Sequence, residues 1–299
     1  MYEIVVNPYG RRDDGGRKGL MLEGPWDPAY AGLVKREGIK ALYLNSSRGW
    51  VDHDCSFLSQ VPEIEELSII APKVVGLESL HSLKQLRELE VTCSSTSVVD
   101  FTQTPSLERV YVYWWAGAAS LFNCESLRRV HLDKIARLPE GWHRSWLKLQ
   151  EFTLANSSQA RLEELEQLSS LSKLELLNLS RLEDFSVIGR VPSLRWLAVC
   201  GCKSLMRIDF VRSLAALEVL RLEDDGELES LEVLGSLKNL QAVSLVGSTT
   251  VKDGDLSALE SLPRLSMLAF APRRHYTHKL LKKWSWADFG KPDKLLERK

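Results

Sequence analysis

The 299-residue chain is 44% apolar and 26% charged, with 39 Lys/Arg set against 40 Asp/Glu for a formal charge of -1. That balance excludes the broad basic face that nucleic-acid binding needs, and no apolar run is long enough to cross a bilayer. The opening MYEIVVNPYGRRDDGG lacks the basic, apolar, small order of a secretory signal, and Cys55, Cys93, Cys124, Cys200 and Cys202 are too scattered for a disulfide framework; a cytoplasmic protein with reduced thiols is expected.

Met1 to Val6 alternates apolar and polar residues, which predicts a strand paired with the run 18–23 across the Gly-rich loop 11–19 and covering the first unpaired edge of the sheet. Asp27 before Pro28 is an N-cap signal and Gly38 a stop, which predicts a helix over 28–37. From Ile39 the pattern apolar-x-x-apolar-x-apolar recurs eleven times, opening at Ile39, Ile64, Leu86, Leu107, Leu127, Leu149, Leu174, Leu194, Leu217, Leu240 and Leu265. Successive openings lie 25, 22, 21, 20, 22, 25, 20, 23, 23 and 25 residues apart. Three such positions match by chance only about 8% of the time at this composition, so the repeat is genuine. Leu20 and Leu22 share the phase of Leu42 and Leu44, which makes 18–23 a cap strand.

The copies opening at Ile64, Leu149, Leu217 and Leu240 contain stretches such as GLESLHSLKQL and RLEELEQLSSL, long enough for about two to three helical turns, and predict short convex helices. The 20-residue copies at Leu107 and Leu194 predict turns or 3₁₀ segments instead. Beyond Phe270 the repeat stops, and Leu280, Leu281 and Trp284 at helical spacing predict a cap folded onto the last repeat, with 291–299 frayed. Residues 272–299 hold nine Lys/Arg against three Asp/Glu, so a basic tail succeeds a mildly acidic body. The expected organisation is a cap over 1–38, repeats over 39–271 and a basic cap and tail over 272–299, in one continuous domain because each repeat packs only on its neighbours.

A repeat of 20 to 25 residues built on L-x-x-L-x-L resembles the leucine-rich repeat superfamily, in its intracellular type with irregular repeats. The resemblance implies an α/β solenoid in the form of a horseshoe, with a parallel β-sheet on the concave face and short helices and turns on the convex face. It further implies a non-catalytic protein–protein interaction module with a protein partner on the concave face, no cofactor, and a monomer as the expected state. Narrower versions are an immunity protein that neutralises a cognate toxin and a regulatory subunit that docks on an enzyme. Some bacterial members append a ubiquitin-ligase domain, and the segment after the last repeat is too short for one. The third residue after the last core apolar, often Asn in the family, is Ser47, Ser94, Ser157, Ser248, Cys202 or Asp225 in six copies and Pro72, Trp115, Ile135, Leu182 or Arg273 in the others. Irregular loops are expected from that departure.

Side chains alternate along a strand, so positions three, five and seven of each copy face away from the core, onto the inner surface. Two zones separate there. Arg109, Tyr111 and Tyr113 on one strand and Arg129, His131 and Asp133 on the next, with Trp114 and Trp115 at the rim and Glu151 beyond, gather the residue types in which interfaces concentrate binding energy. The alternative is ordinary polar lining, with Trp114 or Trp115 plugging the convex side. The second zone is an apolar row of Leu176, Trp196, Val219, Ala242 and Met267, flanked by Ala198, Ala269 and Val246, with Arg221 and Glu223 beside it. Such a stripe marks a contact, either with a partner or with the tail through Trp284, Trp286 and Phe289.

Cys200-x-Cys202 lacks the second ligand pair that zinc needs, and Asp52-His53-Asp54-Cys55 stands in an outer loop without a partner motif. His275 and His278 read as decoration of a helix end, and no phosphate-cradling loop or nucleophile–base motif occurs. No metal and no catalysis are expected. Metal binding or enzyme chemistry around His53 or Cys200 is the rival reading.

Overall fold

The computed structural model describes residues 1–6, 8 and 17–276; the Gly-rich loop up to residue 16 and the segment 277–299, with Leu280, Leu281, Trp284, Trp286 and Phe289, lie outside the described residues. Two compact units divide the chain, one of residues 1–135 and 139–149, the other of residues 136–138 and the chain from Gln150 onward.

In the first unit β1 (Tyr2–Val6) runs antiparallel to β2 (Lys18–Leu22), pairing Tyr2 with Leu22 and Val6 with Lys18, as the cap pattern predicts. Helix α1 (Ala29–Glu37) comes next, with Asp27 Oδ1 accepting the Ala29 N–H at 2.8 Å and Gly38 closing the last turn at φ 63°. Strands β3 (Ala41–Asn45), β4 (Glu66–Val74), β5 (Glu88–Ser95), β6 (Arg109–Tyr113) and β7 (Arg129–Asp133) then add one per repeat, all parallel. The second unit continues with β8 (Glu151–Ala155), β9 (Lys173–Leu177), β10 (Trp196–Cys200), β11 (Val219–Glu223), β12 (Glu227–Leu228), β13 (Ala242–Leu245), β14 (Thr250–Val251) and β15 (Met267–Phe270). Here β8, β9, β10, β11, β13 and β15 form parallel neighbours in that order, while β12 pairs with β14.

Ten of the eleven repeat openings stand two residues before their strand, as alternation requires, and one does not. Trp196 pairs with Lys173, and Leu174 with Leu197, so the copy assigned to Leu174 opens at Leu171. The row residue Leu176 is corrected to Lys173, and Glu175 and Leu177 are the other inward positions of that strand. Leu176 is fully buried in the core, and Leu177 sits half-buried on the inner face. The run LSSLSKLELLNL contains two overlapping copies of the motif, and the right one makes the flanking spacings nearly equal, since each repeat has the same circuit to complete.

The convex helices expected at Ile64, Leu149 and Leu217 are 3₁₀ segments over Leu77–Ser82, Glu163–Gln167 and Glu232–Ser236; the Leu240 copy has a single α turn, α2 (Ser257–Glu260). The shorter copies at Leu107 and Leu194 carry 3₁₀ segments over Ala116–Asn123 and Asp209–Ser213, in line with their length. The physical reason is room. Strands repeat every 4.7–4.9 Å whereas packed α-helices need about 8–10 Å, so a narrower return fits behind the sheet. The apolar residues also recur at strict intervals of three, as in Leu77–Leu80–Leu83–Leu86 and Leu162–Leu165–Leu168–Leu171, all buried. That period matches three residues per turn, and i to i-3 bonds such as Leu168 N–H to the Leu165 carbonyl at 3.0 Å accompany it. In the copy opening at Leu127 no helix forms and the buried Trp142 and Trp146 fill the space, Trp146 Nε1 donating to the Leu121 carbonyl at 3.1 Å.

After each inner strand in the later repeats the chain turns through the left-handed region: Lys134, Asn156, Asn178, Gly201, Asp224 and Gly247 have φ between 51° and 70°. Asn, Asp and Gly tolerate that conformation best. A Cβ at Gly201 would fall on Asn178 Oδ1 and one at Gly247 on Asp224 Oδ1, so the glycines also make space for the polar residue of the preceding corner. One position further on, Asp225 Oδ1 accepts the Cys202 N–H at 2.8 Å and Thr249 Oγ1 accepts the Asp225 N–H at 3.1 Å, which does for these loops what a family Asn does elsewhere.

The corrected register makes Leu174 a core residue and Leu177 a surface one. Leu174→Ala is expected to cost about 2–5 kcal/mol through the cavity it leaves, and Leu177→Ala less than about 1.5 kcal/mol. Urea unfolding of the two variants checks the difference, and equal costs would contradict the assignment.

Burial pushes the Asp225 carboxyl up to about 7, against the help of the Cys202 N–H and Lys203 and with Asp224 and Glu223 adding repulsion; its Oδ2 has no hydrogen-bond partner. The native state therefore holds a proton that the unfolded chain releases near pH 4, and stability falls as pH rises from about 4 to about 7. Asp225→Asn should flatten that slope by on the order of 2 kcal/mol, read from urea midpoints at pH 5 and pH 7.5. An unchanged slope would place its origin elsewhere.

Candidate functional site

Strands β6 and β7 alternate cleanly. Val110, Val112, Val130 and Leu132 are buried behind the sheet, which turns Arg109, Tyr111 and Tyr113 inward beside Arg129, His131 and Asp133 in direct register. The Tyr111 and His131 rings stack with centroids 4.0 Å apart and planes 20° from parallel. Cross-strand aromatic pairs of this kind both stabilise the sheet and present a flat surface. Burial, then the charges of Asp133 and Glu90, hold the Tyr111 hydroxyl above its usual range, so it remains a neutral donor.

Ion pairs flank the stack. Arg109 Nη1 donates to Glu88 Oε2 at 3.0 Å, with 26% of the arginine side chain still exposed. On the next pair of rows Tyr43 Oη donates to Glu66 Oε1 at 3.1 Å and Ser68 Oγ to Glu90 Oε2 at 2.5 Å. Lys134, at the corner after β7, places Nζ 4.4 Å from the centre of the Tyr113 ring, and contact with the Tyr113 hydroxyl raises its pKa. Strand alternation does not single out Lys134; its signal is a lysine at a corner that otherwise takes Asn, Asp or Gly.

The two tryptophans after β6 separate. Trp115 is buried, its Nε1 donating to the Ser97 carbonyl at 2.8 Å, so it plugs the convex side. Trp114 is half-buried at the rim, its ring 5.4 Å from Phe122 and its N–H donating to the Asp133 carbonyl at 2.8 Å. Asp133 itself is buried at the edge of the patch.

The remaining candidates belong to the second unit. Glu151 is half-buried at the start of β8. Arg221 makes a bidentate pair with Glu223 at 3.0 and 2.7 Å, and Ser244 Oγ donates to the same carboxylate at 2.6 Å. Lys173 lies 5.4 Å from the Trp196 ring centre, and Thr153 Oγ1 donates to Glu175 Oε2 at 2.9 Å. Trp196, Val219, Ala242, Val246 and Ala269 form one apolar cluster with Met267 packed against it, all but Met267 being buried.

Burial pushes the Cys200 thiol up to about 12 and Cys202 to about 11, so neither is poised as a thiolate. His53 Nε2 is bonded to Ser46 Oγ at 2.9 Å, and Asp54 Oδ1 accepts from Ser56 N–H and Oγ at 2.9 and 2.7 Å. Among the described residues no three His, Cys, Asp or Glu gather as a ligand set, and no helix is long and apolar enough to cross a membrane.

No family model and no curated protein sequence matches the chain. Among solved structures it is similar to an internalin (InlF) from Listeria monocytogenes, at 22% identity and a TM-score of 0.63 over 81% of this chain and 71% of that one. It is also similar to the functional domain of InlJ from the same organism, at 12% identity and a TM-score of 0.51 over 81% of this chain and 55% of that one. At these identities the likeness is one of fold, and together with one parallel strand per repeat and buried leucine columns it gives the chain the fold of a leucine-rich-repeat solenoid.

Proposed function

We propose that the chain is a non-catalytic protein-binding module that receives a protein partner on the inner surface of β6 and β7. The observation that supports this most is the Tyr111–His131 stack at 4.0 Å, half-buried and flanked by Arg109, Tyr113, Trp114 and Arg129. Tyr, Trp and Arg give interfaces large area and directional hydrogen bonds with few torsions to freeze. The patch is also preorganised: Arg109 is held by Glu88, Tyr113 by Lys134, and the backbone beneath by its ladder, so binding freezes little further motion. Lys134 supports the same reading. A lysine at φ 62° lacks the local side-chain bonds that make this corner acceptable to Asn or Asp, and backbone strain of about 1 kcal/mol or more tends to persist where it serves a site. Glu151, Arg221 and Glu223 add charged partner contacts on the second unit, and the setting is cytoplasmic.

The test compares the tagged 299-residue chain with its Tyr111→Ala and Arg129→Ala variants as baits for affinity capture, with titration of the captured protein afterwards. Each variant is expected to bind at least tenfold more weakly, about 1.4 kcal/mol, with Tm unchanged. Equal affinity in both variants would remove the patch from the interface.

A further inference from the structure

The sheet of the first unit ends on β1, and among the described residues β2 is the one sheet neighbour that β1 has. The Glu23 N–H donates to the Met1 carbonyl at 3.0 Å, and the Lys40 N–H to the Lys18 carbonyl at 2.9 Å. Backbone groups reverse direction at each residue of an antiparallel pair, so Glu3 and Val5 bond to β2, whereas the N–H and C=O of Tyr2, Ile4 and Val6 point out of the sheet edge. The side chains of those three residues stand on the core side, Tyr2 opposite Leu22 and Ile4 opposite Leu20, while Val5 packs against Met21, Ala41 and Tyr43 on the inner face. Leu20 and Leu22 are fully buried, yet Tyr2, Ile4 and Val6 are 40%, 39% and 61% exposed. The apolar column therefore stops one strand short of cover, beside an open backbone ladder. Proteins blunt such edges with lysine, proline or a bulge; the strand YEIVV has neither residue and pairs with β2 without a register shift.

We propose that β1 is a self-association edge whose occupant is β1 of a second copy of this chain, antiparallel about a two-fold axis at Ile4, in place of the monomer that the resemblance implies. The strand is self-complementary in that register. Ile4 faces the partner's Ile4 and Tyr2 faces the partner's Val6, each as a hydrogen-bonded pair made from groups that β2 does not use. Both pairings are apolar, and the second sets an aromatic ring beside a β-branched side chain, a favourable cross-strand pair. Glu3, the one charged side chain of the strand, falls opposite the partner's Val5, so like charges do not meet. The neighbouring registers are worse. An axis at Glu3 would set two carboxylates face to face, and an axis at Val5 would set Tyr2 against the partner's Pro8, which has no N–H to donate. Five residues a side is a small contact, in the class below about 1,200 Å², so a reversible equilibrium in the micromolar range is expected. The contact lies at the end of the sheet and leaves the Tyr111–His131 patch to a different partner.

The experiment is sedimentation velocity of the untagged 299-residue chain over a concentration series through the micromolar range, which is expected to show a reversible monomer–dimer equilibrium. Ile4→Pro removes an outward N–H and no bond to β2, a place where an edge strand accepts proline, and should weaken the dimer at least tenfold with an unchanged circular-dichroism melt. If that variant does not fold, Val6→Lys, at the most exposed position of the strand, replaces it with the same expected loss. Tyr111→Ala should leave the dimer at full strength. A chain that is monomeric throughout the series overturns the proposal, as does a dimer that survives Ile4→Pro or Val6→Lys unweakened. A dimer lost in Tyr111→Ala moves the contact to the inner face and overturns it equally.

Discussion

A repeat joins this stack only if its outer return is no thicker than the spacing of the strands it stands behind. Neighbouring strands repeat every 4.7–4.9 Å, and the return must advance by a comparable amount or the ladder of backbone bonds breaks. Copies of 20 to 25 residues with leucine at every third position meet that limit by winding three residues per turn. Each turn drops one leucine into the column shared with the next repeat, and burying such a side chain contributes roughly 1.5–3 kcal/mol. Where one copy abandons the pattern, between Leu127 and Leu149, the volume is restored by Trp142 and Trp146. The stack tolerates a change of backbone more readily than a void.

The same constraint fixes the corners. A strand that must turn within one residue passes through the left-handed region, and the column Asn156, Asn178, Gly201, Asp224, Gly247 uses the residues that do so at least cost. Its glycines are a packing matter: Asn178 and Asp224 each project onto the glycine of the next corner, where a Cβ would collide, whereas Asn178 Nδ2 donates to Asn156 Oδ1 of the preceding corner at 3.0 Å. Asp225, next to this column, satisfies the Cys202 N–H but keeps one oxygen unpaired, which is why its proton becomes a stability variable where an amide would not.

Much of the fold is legible in the sequence because one periodicity governs it: ten strand registers, the N-terminal hairpin and the helix ended by Gly38 all derive from local pattern. Two features escape it. The copy near Leu174 contains a second, overlapping motif three residues earlier, and only the demand for equal circuits selects Leu171. The convex elements read as helices because leucines three or four apart satisfy an α-helix as well; strict spacing by three, as in Leu231–Leu234–Leu237–Leu240, is the finer signal. At the candidate site the inward side chains of β6 and β7 are legible from alternation alone. The separation of Trp114 from Trp115, and the part played by Lys134, depend on what the corner after each strand touches, which no local rule specifies.

Charge on the inner surface is largely spent within it, and that shapes what the surface can recognise. Arg221 with Glu223 and Arg109 with Glu88 neutralise one another, and partly exposed pairs of this kind contribute only about 0–1 kcal/mol to stability. Their effect is geometric: each pairing holds its guanidinium in place on the sheet. A long-range field is therefore weak on this face, and recognition falls to contact, with the Tyr111–His131 stack and the rim Trp114 supplying area and the arginines direction. A partner chosen that way must match shape closely, and a sheet whose inner strands are each braced by two neighbours is the kind of surface able to demand it.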